Sequence, residues 1–187
     1  MSRLKLMPEA CTDGPTKGYI GLDRIGFAAR REPRERFMNL MHHLHPLNLV
    51  QAYRQLDGSK AVGIDQVTKY EYGSRLGANI ESLHKEIRGG GFRPRPSRER
   101  LIPKPQGGMR RLAIGCLEDK IVQSLCAKIL EAIYEPLFHR HSFGYRSGKS
   151  AHQALARVHQ EIRRREETCV VVEMDIEKFF DTIPHER

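Results

Sequence analysis

Leu117, Ile121, Leu125, Ile129 and Ile133 recur at every fourth residue, and Val122 and Cys126 widen the stripe they make. That spacing puts the side chains on one face of an α-helix. A helix with a wide aliphatic face gains its stability by burying that face against other elements. The stripe therefore predicts a helix at the centre of a core, stopped by Pro136. Partners for it are available, since 39% of the 187 residues are hydrophobic, and this excludes a disordered polyampholyte. The length allows one domain, with a tail or the start of a second. A membrane span is excluded, because apolar runs such as Val170-Val171-Val172 fall far short of the ~20 residues a span needs, and no membrane partner is expected.

Cys11, Cys116, Cys126 and Cys169 include no C-x-x-C pair, and the start, Met-Ser-Arg-Leu-Lys-Leu-Met-Pro, has no apolar signal core. Reduced thiols in a cytoplasmic protein are expected, packing as small hydrophobes.

The formal charge of +9 is concentrated. Between positions 88 and 111 stand Arg88, Arg93, Arg95, Arg98, Arg100, Lys104, Arg110 and Arg111, opposed only by Glu99. Pro94, Pro96, Pro103 and Pro105 interleave with them, and Gly89 to Gly91 precede them. Such a run forms stiff extended segments and turns that present cations outward. A nucleic-acid backbone fits it better than an acidic protein, a membrane surface or an idle solvated face, because clustered Lys and Arg gain affinity by releasing phosphate counterions.

Residues 1–32 show little periodicity and read as a loose leader. Pro33 opens a helix towards Leu44 on the spacing of Phe37, Leu40, Met41 and Leu44; Pro46 breaks it, and a short helix from Leu47 to Leu56 ends at Asp57-Gly58. His42, His43 and His45 lack the spacing of a convincing metal site. Gly63-Ile64-Asp65 reads as a turn, and part of Lys69 to Arg88 as a helix with Leu76, Ile80, Leu83 and Ile87 on one stripe, stopped by the glycine triplet.

Arg100-Leu101-Ile102 and Arg111-Leu112-Ala113-Ile114 flank Lys104-Pro105-Gln106-Gly107-Gly108, which predicts a β-hairpin with a basic tip. Ser142 to Arg146 is a loop, and Ala151, Leu155, Val158 and Ile162 mark another amphipathic helix with a basic end at Arg163, Arg164 and Arg165. The β-branched run Cys169 to Met174 reads as a central strand delivering Asp175. Alternation gives it an apolar face of Val170, Val172 and Met174 and a second face of Val171, Glu173 and Asp175.

Gly144-Tyr145-Arg146-Ser147-Gly148-Lys149-Ser150 is no phosphate loop: three residues separate its glycines, where four are needed, and no strand leads into it. Arg146 remains available to a phosphate, and Ser147 or Ser150 to cap the following helix.

Met174-Asp175-Ile176-Glu177-Lys178-Phe179-Phe180-Asp181 resembles motif A of the polymerase palm. The order of the upstream pieces resembles the bacterial group II intron reverse transcriptases. These pieces are Asn48 to Tyr53, Gly63-Ile64-Asp65, Phe92-Arg93-Pro94, Ile102 to Pro105, Arg110 to Ile114, Glu118 to Gln123, Glu135 to Phe138 and Ser142 to Arg146, so the resemblance covers residues 47–187.

The resemblance implies an α+β fold: right-hand polymerase fingers, built of helices and a basic β-hairpin, leading into the first strand of a ferredoxin-like palm that is incomplete. It divides the chain into a leader (1–32), a helical extension of the fingers (33–95), fingers (96–166) and the start of the palm (167–187). It implies Asp175 as a catalytic ligand of two Mg²⁺ ions and the Ile176 carbonyl as a ligand of one. Two ions ~3.5–4 Å apart stabilise both the attacking 3′-hydroxyl and the leaving pyrophosphate. It implies Phe180 as the gate against a ribose 2′-hydroxyl, with Phe179 in packing, and Lys104 and Arg110 as ligands of the incoming dNTP triphosphate. The implied partners are an RNA template, a DNA primer and intron RNA. Arg88, Arg93, Arg95, Arg98, Arg100, Arg111 and Arg146 are the expected nucleic-acid contacts. Asp119 and Gln123, one helical turn apart, are expected to fix helix contacts, and Asp181 to be a structural hydrogen-bonder.

Arg111 and Gly115 stand where the family usually has Pro, and Ser147 and Lys149 replace its commoner Pro and Arg. No Tyr-x-Asp-Asp occurs in the sequence. One carboxylate does not hold two divalent ions against their hydration, so the isolated chain is expected not to polymerise. It is expected to be a truncated frame, a cloned piece or one half of a split enzyme that works with a complementary C-terminal fragment. A reading from another class is a non-catalytic RNA-binding module built on the basic segment.

Overall fold

The computed structural model describes residues 18–105, 107–164, 170–177 and 179–184, with the side chains of Phe180 and Asp181 outside the described set. Cys11, Arg165, Cys169 and most of the expected leader also lie outside it. Chain contacts divide the protein into Met1–Phe138 and His139–Arg187.

In the first unit the aliphatic stripe forms α5, Leu117–Tyr134, followed by a single 3-10 turn at Glu135–Leu137. Leu117, Ile121, Leu125, Ile129 and Ile133 are all buried. Against α5 lie α1 (Leu22–Arg31) and α2 (Pro46–Gln55), and α4 (Leu76–Arg88) packs on α2. Ile80, Leu83 and Ile87 bring the α4 stripe into the same core. The short α3 (Lys69–Ser74) opens on a reciprocal cap, in which Thr68 Oγ1 accepts from the Glu71 amide and Glu71 accepts from the Thr68 amide.

Helix α1 corrects the loose leader for residues 22–31. Leu22, Ile25 and Ala29 are buried on its inner face, a stripe too short to stand out from the surrounding charged residues. The helix expected from Pro33 is also corrected: only the 3-10 turn Leu40–His43 forms there, after Asn39 in a left-handed conformation. Pro46, expected as a breaker, instead occupies the first turn of α2, where its missing N–H has no helical acceptor to lose.

Strands β1 (Arg98–Pro103) and β2 (Met109–Ile114) pair antiparallel, from Arg98 opposite Ile114 to Pro103 opposite Met109. At the tip the Lys104 amide donates to the Gly108 carbonyl at 2.9 Å and the Gly107 amide to the Lys104 carbonyl at 3.1 Å. Gly107 and Gly108 have φ of 90° and 84°, a region that L side chains avoid. The protein is thus a mixed helical fold with one two-stranded antiparallel sheet among the described residues.

The second unit contains α6 (Ala151–Arg163), a loop before it, and a 3-10 turn at Phe179–Thr182. Ser150 caps α6: its hydroxyl accepts from the Gln153 amide at 3.3 Å, and Gln153 Oε1 accepts from the Ser150 amide at 3.1 Å. The strand expected to deliver Asp175 is not observed. Residues 170–176 carry no regular secondary structure and join no ladder among the described residues, and Val170, Val172 and Met174 are exposed. The β-branched run carries propensity, but a strand also needs a neighbour for its amides and carbonyls.

Candidate nucleic-acid interface

The antiparallel register sorts the hairpin's side chains into two sets. Arg98, Arg100 and Ile102 share a face with their partners Ile114, Leu112 and Arg110. The Lys104–Gly108 hydrogen bond extends that register by one position, so Lys104 stands on the same face as Arg110. Arg98, Arg100, Lys104 and Arg110 have no acidic partner among the described residues. Glu99, Leu101, Pro103, Met109, Arg111 and Ala113 make the opposite face. There Arg111 Nε meets Glu99 Oε1 at 3.5 Å, so that face is close to neutral and largely apolar.

Three of the other expected contacts, Arg93, Arg95 and Arg146, are engaged in the protein itself. Arg93 donates to the Gly90 and Phe92 carbonyls at 3.0 and 2.9 Å. Arg146, in the second unit, donates to the His139 and Ser142 carbonyls at 3.1 and 2.7 Å and folds the loop before α6 around itself. Arg95 meets Asp65 and Glu118 at 3.4 Å each. Arg88, in the last turn of α4, is exposed. The structure thus divides a uniform basic run into cations that hold the fold and cations that face solvent unpaired.

The partners of Arg95 were not legible in the sequence, because Asp65 and Glu118 lie 30 and 23 residues from it. Glu118 also accepts from the Tyr72 hydroxyl at 3.2 Å. Burial first, and then the Glu118 carboxylate, push the Tyr72 pKa well above the phenol range, so it stays a donor. Asp119 is buried and accepts from the Arg95 amide at 3.2 Å, a structural contact of the kind its position suggested, whereas Gln123 is exposed.

Asp175 is exposed in the irregular stretch of the second unit, and Ile176 beside it is 67% exposed. Phe179, expected in packing, is half exposed. The described residues hold no group of three or more His, Cys, Asp or Glu arranged for a metal ion. No described helix is long and apolar enough to cross a membrane.

Residues 102–187 match the family model "Reverse transcriptase (RNA-dependent DNA polymerase)". Protein YkfC of Escherichia coli K12 is 34% identical over 163 residues, covering 84% of this chain and 43% of that protein. The group II intron-encoded protein LtrA of Lactococcus lactis subsp. cremoris is 30% identical over 166 residues, 88% of this chain and 27% of LtrA. The chain is similar to reverse transcriptases of the group II intron type. An uncharacterized 91 kDa protein in the cob intron of Schizosaccharomyces pombe matches the chain at 39% identity over 109 residues, 58% of the chain and 13% of that protein. The chain therefore spans less than half the length of each of these relatives. The family match begins inside β1, so it takes in the hairpin tip, α5, α6 and motif A together.

Proposed function

We propose that this chain supplies the fingers and the opening palm segment of an RNA-directed DNA polymerase acting in the cytoplasm on an RNA template and a DNA primer, with intron RNA as a further partner. Residues 33–95 are then the helical extension of the fingers, 96–166 the fingers and 167–187 the start of the palm. The observation that carries the reading is the unpaired cationic face of the hairpin. Lys104 and Arg110 hold the triphosphate of the incoming dNTP, and Arg88, Arg98 and Arg100 meet the nucleic-acid backbone, where charge-assisted bonds to phosphate are strongest.

Asp175 and the Ile176 carbonyl offer exposed oxygen donors of the kind Mg²⁺ takes, so they fit as part of a magnesium site. The chemistry such ions supply is stabilisation of an attacking hydroxyl and a leaving pyrophosphate. Asp175 orients the site by its charge, and Phe180 excludes a ribose 2′-hydroxyl.

On this reading the isolated chain, whose 187 residues include no Tyr-x-Asp-Asp, does not extend a primer. Primer extension on an RNA template with dNTPs and magnesium tests this. No product from the chain alone is expected, and product after addition of a complementary C-terminal fragment; extension by the chain alone overturns the inactivity. In a complete enzyme Phe180→Ala raises ribonucleotide incorporation, and unchanged sugar selectivity removes the gate.

A second reading, a non-catalytic RNA-binding module, is favoured by one observation: the cationic face is built wholly from residues 98–110 and needs nothing from motif A. It predicts steeply salt-dependent RNA binding that Asp175→Ala leaves unchanged in magnesium.

A further inference from the structure

We propose that Arg95, which the basic run suggests as a nucleic-acid contact, is instead a positioning residue that ties the first leg of the hairpin to the first turn of α5. The function it serves rests on the reading of the hairpin as the phosphate-binding face.

The second leg needs no tie, because β2 runs through Gly115 and the fully buried Cys116 straight into Leu117. The first leg leaves the core at Phe92, which packs against the hydrophobic cluster, and enters β1 at Arg98. Between them Pro94 and Pro96 have no amide hydrogen, so Arg95 carries the one backbone donor of that triplet. It donates to Asp119, whose residue is 4% exposed. The guanidinium spans Glu118 and Asp65, so it joins α5 to the Gly63-Ile64-Asp65 turn. Both legs are thereby rooted on four consecutive residues, Cys116 to Asp119.

Beyond this root most of the hairpin is exposed, with only Arg98, Leu112 and Ile114 partly buried among its described residues. The orientation of Lys104 and Arg110 therefore depends on how firmly the base is held. A planar guanidinium bridges two carboxylates in a way that an ammonium does not.

A direct phosphate contact and a latch predict opposite signs for one substitution. Glu118→Gln makes the chain more positive. If Arg95 bound phosphate, removing its competitor would tighten binding. If Arg95 is a latch, the same change weakens binding, because the hairpin loses its fixed direction.

The test uses the full chain and a fluorescent RNA–DNA primer–template across a salt series, with amide hydrogen exchange of residues 98–114. The latch predicts that Glu118→Gln, Asp65→Asn, Arg95→Gln and Arg95→Lys each weaken binding about threefold to tenfold, with an unchanged salt slope. It also predicts faster hairpin exchange while the amides of α5 keep their protection, which separates the latch from general unfolding. Tighter binding by Glu118→Gln, retained affinity in Arg95→Lys, or a salt slope lowered by about one unit in Arg95→Gln overturns it. If the unaltered chain does not bind the duplex, the phosphate-face reading fails, and hydrogen exchange alone still decides the latch.

Discussion

Asn48 hydrogen-bonds the backbone of Ile20 in both directions, accepting from its amide at 2.8 Å and donating to its carbonyl at 3.2 Å. The same carboxamide donates to the His43 carbonyl at 3.0 Å, and Asn48 is fully buried. One side chain thus pins the approach to α1 and the turn before α2. Asn48→Ala leaves buried backbone groups unpaired and costs about 2–4 kcal/mol of stability. Urea denaturation measures it; a loss under about 0.5 kcal/mol would mean that water replaces all three bonds.

Gly63 lies against Cys116 so closely that a Cβ would sit 2.6 Å from the Cys116 Cα. The obstacle is backbone, which has little room to move. Gly63→Ala is expected to cost about 1–3 kcal/mol, seen as a lower Tm, while Gly90→Ala, which meets no neighbouring atom, acts only through its positive φ.

His43 is buried beside His42, with ring centroids 3.9 Å apart. Burial first, then repulsion from His42, hold its pKa below the ordinary 6.5. Its neutral form is favoured by folding, so its contribution to stability is complete above pH 6.5 and is lost as pH falls through the lowered folded value. His45 is lowered in the same direction, mainly by burial and also by His84 and His42. Urea midpoints at pH 7.5 and 5.5 should differ, with the acidic sample less stable. His43→Gln should narrow the difference, and an equal difference in that variant would remove His43 as its source.

Arg110→Ala and Lys104→Ala each remove an unpaired cation from one hairpin face. Each should lower the slope of log affinity against log salt for an RNA–DNA duplex by about one unit. Arg111→Ala removes a cation already facing Glu99 at 3.5 Å, so its slope should change less. Equal slopes for all three variants would mean that the two faces are not distinguished by nucleic acid.

Ser150→Ala deletes one half of the reciprocal cap of α6. A loss of about 1 kcal/mol is expected for that helix, read as faster amide exchange in residues 151–155, and Ser150→Asp should restore protection. No change in exchange would show that the cap is redundant.

The sequence alone determined the buried face of α5, the stripe of α4 and the basic hairpin with its glycine tip. In each case the governing physics is local: a four-residue period, or two residues forced to positive φ. Tertiary structure decided which cations are spent on the fold, because the acids that hold Arg95 are 23 and 30 residues away and no spacing rule links them. It also decided that residues 22–31 form a docked helix, through burial against α5 and a pin from Asn48. The stretch before Asp175 shows the converse. Its β-branched residues favour a strand, but a strand requires a second backbone alongside to pair with, which composition does not supply, and no ladder forms there among the described residues.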